Sequence, residues 1–156
     1  MSRMDVPTYC YYYMFHSCTS LTQAPELPAT TLADSCYSWM FSNCTSLTQV
    51  PELPAKTLAK HCYFYMFECC KSLTQAPELP ATTLADNCYD GMFYSIGHDI
   101  TINANIAAKD YIYAIVENNS EFPVWVATIN FSDGTFIKIV VKQTGESGGG
   151  GGGGSN

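Results

Sequence analysis

The sequence predicts an α/β solenoid of 26-residue units, with parallel short strands and helical turns, followed by a small antiparallel β cap. Three observations carry this. Cys10, Cys36, Cys62 and Cys88 recur every 26 residues, a period typical of stacked arrays. Each unit divides into a uniform and a varying set of positions. After Gly97 the period is lost and alternating, β-branched segments replace it.

Aligned on those cysteines, the units read CYYYMFHSCTSLTQAPELPATTLADS, CYSWMFSNCTSLTQVPELPAKTLAKH, CYFYMFECCKSLTQAPELPATTLADN and a broken CYDGMFYSI. Seventeen of the 26 positions are identical in the three full units, so each position recurs as a column. With Cys36–Cys44 taken as helical at about 100° per residue, Cys36, Met40, Cys44, Tyr37 and Phe41 fall between about 0° and 140°. Ser38, Ser42, Trp39 and Asn43 fall between about 200° and 340°. The uniform apolar arc is read as core and the varying arc as solvent face, with helical turns at Tyr37–Cys44 and Tyr63–Cys70. The rest of the unit, Ser46 to Pro54, is the strand side. Pro51 has no N–H and confines pairing to a few residues, near Leu21, Leu47 and Leu73.

The string MFxxCxSLT, followed by an apolar-Pro exit and a return to MFxxC, resembles the BspA-like leucine-rich repeats of bacterial surface proteins. The resemblance covers about Cys10 to Ser95, with a slightly longer PELPATTLA stretch than the commonest versions. It implies a curved leucine-rich-repeat array and a surface-associated role in adhesion and protein binding, without enzymatic activity.

The expected organisation is therefore 1–97 solenoid, 98–145 β region and 146–156 glycine-rich tail. In the β region, Asp99 to Ile106 alternates, Tyr111 to Val116, Phe122 to Phe131 and Thr135 to Val141 are β-branched or aromatic, and Ser132-Asp133-Gly134 reads as a hairpin turn. About four antiparallel strands would cover the open end of the array. No Lys follows the glycines of the tail, so it is not a phosphate loop.

Composition narrows the function. The net charge of −7 and seven scattered basic residues disfavour a nucleic-acid partner. No apolar run approaches the roughly 20 residues of a membrane span. Met1 to Asp5 lacks a signal-peptide apolar region; either the protein does not take that route or the natural N-terminus is missing. Location is thus open between the cell surface implied by the resemblance, a phage virion and the cytoplasm.

The eight cysteines are read mainly as buried free thiols, with Cys69 the most exposed. A zinc site from His61, Cys62, Cys69 and Cys70 is disfavoured because the pairs are adjacent rather than spaced. His16, His61 and His98 occupy unrelated repeat positions and support no nucleophile–base pair. The chain is expected to be no enzyme and to need no cofactor or metal.

The candidate binding residues are the polar columns Thr22/Gln23, Thr48/Gln49 and Thr74/Gln75 beside the strands, with Glu26, Glu52 and Glu78 at the strand exits. Each column has a structural reading too, since stacked Thr and Gln stabilise a ladder without any ligand. Tyr12, Tyr13, Trp39, Phe64 and Tyr65 on the varying arc form a competing surface, of which Trp39 and Tyr65 are retained as candidates. The expected function is recognition of a protein or glycan. The alternative is a structural part of a larger assembly, such as a phage fibre or decoration protein.

Overall fold

A computed structural model describes residues 7–117 and 124–142; the glycine tail and the start of the expected Phe122–Phe131 strand lie outside them. The 26-residue units do stack, and their uniform residues form the core. Met40, Phe41, Met66 and Phe67 are buried, as are Cys36, Cys44, Cys62 and Cys70.

The expected helices are absent. Among the described residues there is no α-helix and only one sheet, of three strands. The segments 34–43 and 60–69 are runs of consecutive turns. Ser35, Trp39 and Asn43 have φ of 58°, 60° and 63°, and His61, Tyr65 and Cys69 repeat the pattern at 56°, 53° and 58°. A left-handed residue at every fourth position breaks a right-handed helix and closes a tight turn each time. Within a coil, the N–H groups of Cys36, Ser38, Met40, Ser42 and Cys44 donate three residues back, at 3.1–3.3 Å.

The intervening N–H groups leave the coil. Ser35, Tyr37, Trp39, Phe41 and Asn43 donate to the carbonyls of Lys60, Cys62, Phe64, Met66 and Glu68, at 2.7–3.1 Å. The same register joins Tyr9–Ser17 to the second coil and His61–Cys69 to the last. Odd-numbered amides thus bind the next coil and even-numbered amides bind their own, so backbone groups inside the stack are satisfied. Every inter-coil backbone bond in these turns points the same way, from earlier donor to later acceptor.

The strand side is reduced as well. In place of strands near Leu21, Leu47 and Leu73 there are isolated parallel bridges, Gln23↔Gln49 before the prolines and Thr31↔Thr57 and Thr57↔Thr83 after them. The paired prolines of each unit, such as Pro51 and Pro54, remove donors between these points.

The C-terminal region differs from the expected antiparallel cap. Strand β1 (Ile100–Ala104) pairs parallel with β2 (Trp125–Phe131), and only β2 and β3 (Phe136–Val141) pair antiparallel. Asp133 and Gly134 turn that hairpin, with Gly134 at φ 89°. A parallel bridge, Leu79↔Ala104, ties β1 to the last full unit, so the sheet continues the stack. The expected strand Tyr111–Val116 holds a 3-10 turn, Ile112–Ile115. The reason lies in the ladder: the odd amides of the last coil have no further repeat unit to bind, and Gly91, Phe93 and Ser95 donate instead to the carbonyls of Ala114, Ile115 and Glu117 at 2.7–2.9 Å.

Gly91 marks the end of a column. Tyr13, Trp39 and Tyr65 precede it at the same repeat position, all with positive φ, and Gly91 has φ 62°. A Cβ on Gly91 would lie 2.5–2.7 Å from ring atoms of Tyr65. Gly91→Ala is expected to cost about 1–3 kcal/mol in urea unfolding. In a Tyr65→Ala background the cost should shrink to the backbone part, about 1 kcal/mol. Equal costs in both backgrounds would contradict the ring contact.

Candidate binding surface

Two polar columns flank the prolines. Thr22, Gln23, Thr48, Gln49, Thr74 and Gln75 are all exposed, as are Glu26, Glu52 and Glu78. The first two units share a groove of about 530 Å³ lined by Gln23, Glu26, Gln49 and Glu52, with Pro25 and Pro51 among its walls. The Gln23↔Gln49 bridge sets its floor. Backbone bonds hold it in register: Ala24 N–H donates to Gln49 O at 3.0 Å, and Thr48 and Gln49 N–H both donate to Thr22 O. The Thr48 hydroxyl also donates to Thr22 O, at 3.2 Å. Gln75 lies in a bend and does not line this groove. The structure therefore joins four of the nine column residues at one groove and leaves the rest beside it.

The aromatic arc is less open than expected. Tyr12 and Tyr13 are exposed, while Trp39, Phe64 and Tyr65 are half-buried. They pack on one another: Tyr13 stacks on Trp39 with centroids 5.6 Å apart, Trp39 on Tyr65 at 4.5 Å, and Phe64 meets Trp39 edge-on at 5.9 Å. Such pairs contribute about 0.5–1.5 kcal/mol each, so a structural role accounts for Trp39 and Tyr65. Two further residues of the expected solvent arc are buried: Ser38 donates to His61 O at 2.6 Å and Ser42 to the Glu68 carboxylate at 2.5 Å.

A cleft absent from the sequence reading lies where the stack meets the sheet. It measures about 300 Å³ and is lined by Lys56, Glu78, Asn103, Asn105, Asn130 and Leu79, among others. Asn130 Nδ2 donates to Asn103 Oδ1 at 3.2 Å across β1 and β2. Only the parallel register of those strands brings the two amides together. The alternation of Asp99 to Ile106 did place Asn103 and Asn105 opposite the apolar face; nothing local signals their partner Asn130. Thr31, Thr57 and Thr83 form another exposed column that the sequence reading passed over, although their shared repeat position was visible.

None of the eight cysteines is in a disulfide. Cys44 and Cys70 Sγ donate to the carbonyls of Phe15 and Phe41 at 3.0 and 3.1 Å. Burial pushes the Cys36 and Cys44 thiols up to about 11 and Cys62 well above its ordinary value, the opposite of an activated nucleophile. The most exposed thiol is Cys10 rather than Cys69, which is half-buried, because no described coil covers the first one. Among the described residues no group of three His, Cys, Asp or Glu is placed to hold a metal ion, and no helix is long and apolar enough to cross a membrane.

Comparison of the chain with protein-family models, with curated proteins and with solved structures finds no match. The resemblance to BspA-like repeats accordingly rests on the residues of the unit itself.

The thiol columns give a pH dependence. Below the unfolded thiol pKa of about 8.5, folded and unfolded thiols are both protonated and contribute no slope. Above it the unfolded chain ionises while the buried thiols hold their protons, so stability falls as pH rises toward about 11. The urea midpoint is expected to drop between about pH 8 and about pH 10.5, with a shallower drop in Cys62→Ala. A midpoint that holds or rises would contradict neutral buried thiols.

Proposed function

We propose that this chain is a non-catalytic recognition module that holds an extended protein or glycan partner along the Gln/Glu groove. The observation that carries the reading is the groove itself. Gln23 and Gln49, with Glu26 and Glu52, face solvent one repeat apart on a backbone held by inter-unit hydrogen bonds. A fixed column spaced by about one strand separation meets a partner that is itself extended or repetitive. Weak contacts then accumulate along it. The glutamine amides donate and accept, which suits main-chain amides and sugar hydroxyls alike. Low charge density places hydrogen bonding ahead of salt-sensitive attraction. The raised Cys36, Cys44 and Cys62 thiol pKa values do not favour those cysteines as nucleophiles.

The test is a screen of the chain on arrays of unstructured peptides and linear oligosaccharides, followed by titration of the best-retained probe. The triple change Gln23→Ala, Gln49→Ala, Gln75→Ala is expected to weaken binding at least about tenfold, while Trp39→Ala retains it. Loss in Trp39→Ala with binding kept in the triple variant would move the site to the aromatic column and overturn this assignment.

A further inference from the structure

The two ends of the stack are chemically different. Because every inter-coil backbone bond in the turns runs from an odd amide to a later even carbonyl, one end presents backbone donors and the other acceptors. At the donor end, the Gly91, Phe93 and Ser95 amides are taken by the carbonyls of Ala114, Ile115 and Glu117. At the acceptor end, no described residue donates to the carbonyls of Cys10, Tyr12, Met14 and His16, whose counterparts Cys36, Ser38, Met40 and Ser42 each accept an inter-coil bond.

The side chains tell the same story. A terminal coil facing water ordinarily carries polar substitutions on its outer face. The last coil departs from the repeat, with Asp90 where the others have Tyr12, Ser38 and Phe64, and Gly91 where they have Tyr13, Trp39 and Tyr65. The first coil does not: Cys10, Tyr11, Met14, Phe15 and Cys18 are the same residues that fill the core of the next two units. Met14 is 53% exposed, whereas Met40, Met66 and Met92 are at most 1% exposed. Tyr9, Tyr12 and Tyr13 are also exposed, making an apolar patch rimmed by carbonyls that no described residue engages.

We infer that the N-terminal face, built on Cys10, Tyr12, Met14 and His16, is a docking surface for a further coil of this same 26-residue repeat whose odd-numbered amides are still free. The hydrogen-bond polarity selects that occupant. A second copy of this chain fits less well, because the Gly91, Phe93 and Ser95 amides of its donor end are already taken by its own Ala114, Ile115 and Glu117 carbonyls, and two acceptor ends would set carbonyl against carbonyl. Tyr11 and Phe15 already stack on Tyr37 and Phe41, both at 5.6 Å, and a docked coil would continue those columns on the other ring face. Growth of the array is thus favoured at one end and opposed at the other.

The experiment inserts a copy of residues 36–61 between Tyr9 and Cys10 of the full chain. The urea midpoint is expected to rise, and alternate amides of the inserted turns to exchange roughly a hundredfold more slowly than free chain. Met14→Asp separates docking from mere tethering. It should be tolerated in the parent chain, where Met14 is exposed, and should cancel the midpoint gain in the extended one. If the extended chain does not fold, a synthetic peptide of the sequence 62–87 added to the parent decides: perturbed resonances of Tyr12 and Met14 support docking, and unperturbed ones overturn it. Free-chain exchange in the inserted coil also overturns it. So does a parent dimer in sedimentation that Met14→Asp dissolves, since the face would then belong to a second copy.

Discussion

The division of backbone amides into two classes governs the rest of this structure. In a helix every interior N–H bonds within its own segment, and neighbouring helices meet only through side chains. Here half of the amides in each turn run, such as Tyr37, Trp39 and Phe41, are spent on the next coil. That sets the coil spacing and aligns identical residues into columns. It brings Tyr37 over Tyr63 and Phe41 over Phe67, with ring planes within about 10° of parallel. The left-handed residues at every fourth position are what this arrangement costs, on the order of 1 kcal/mol each. Inter-coil hydrogen bonds and stacked rings offset that cost only because they recur at each unit.

The polarity of the ladder also explains the unequal ends. Free N–H groups inside an otherwise dry stack are costly to leave unmade, and the chain spends the segment around Ala114–Glu117 on covering them. The same demand overrides the strand propensity of Tyr111 to Val116. Strand β1 is then free to extend the last unit through Leu79↔Ala104 and to take β2 as a parallel neighbour. Tyr89 Oη and Trp125 Nε1 are buried with no hydrogen-bond partner among the described residues, where the repeat pattern meets an unrelated one.

Much of the burial pattern was legible in the sequence. The residues read as core, Cys36, Tyr37, Met40, Phe41 and Cys44, are buried, and Thr22, Gln23, Thr48 and Gln49 are exposed. The helical reading failed for a definite reason. A four-residue turn period advances about 90° per residue and a helix about 100°. Over nine residues both put positions 36, 40 and 44 on one side. The distinguishing signal was the backbone at Ser35, Trp39 and Asn43, and left-handed conformation there is marked by glycine only at Gly91. What those positions do share is the absence of β-branched residues and proline, as positive φ requires. The burial of Ser38 and Ser42 and the pairing of Asn103 with Asn130 depend on the inter-coil register and the parallel β1–β2 pair, which no local pattern reveals. The groove was legible as columns, since repetition alone places Gln23 beside Gln49; its restriction to the first two units was not.

The most direct measurement is the through-hydrogen-bond scalar coupling between amide nitrogen and carbonyl carbon in isotope-labelled protein. The turn-built stack requires Phe41 N to couple with Met66 C′ and Tyr37 N with Cys62 C′, while Met40 N couples with Tyr37 C′. A helical unit would instead couple Phe41 N with Tyr37 C′, four residues back. The long-range couplings would establish the alternating ladder. Their absence, with couplings four residues back in their place, would contradict it.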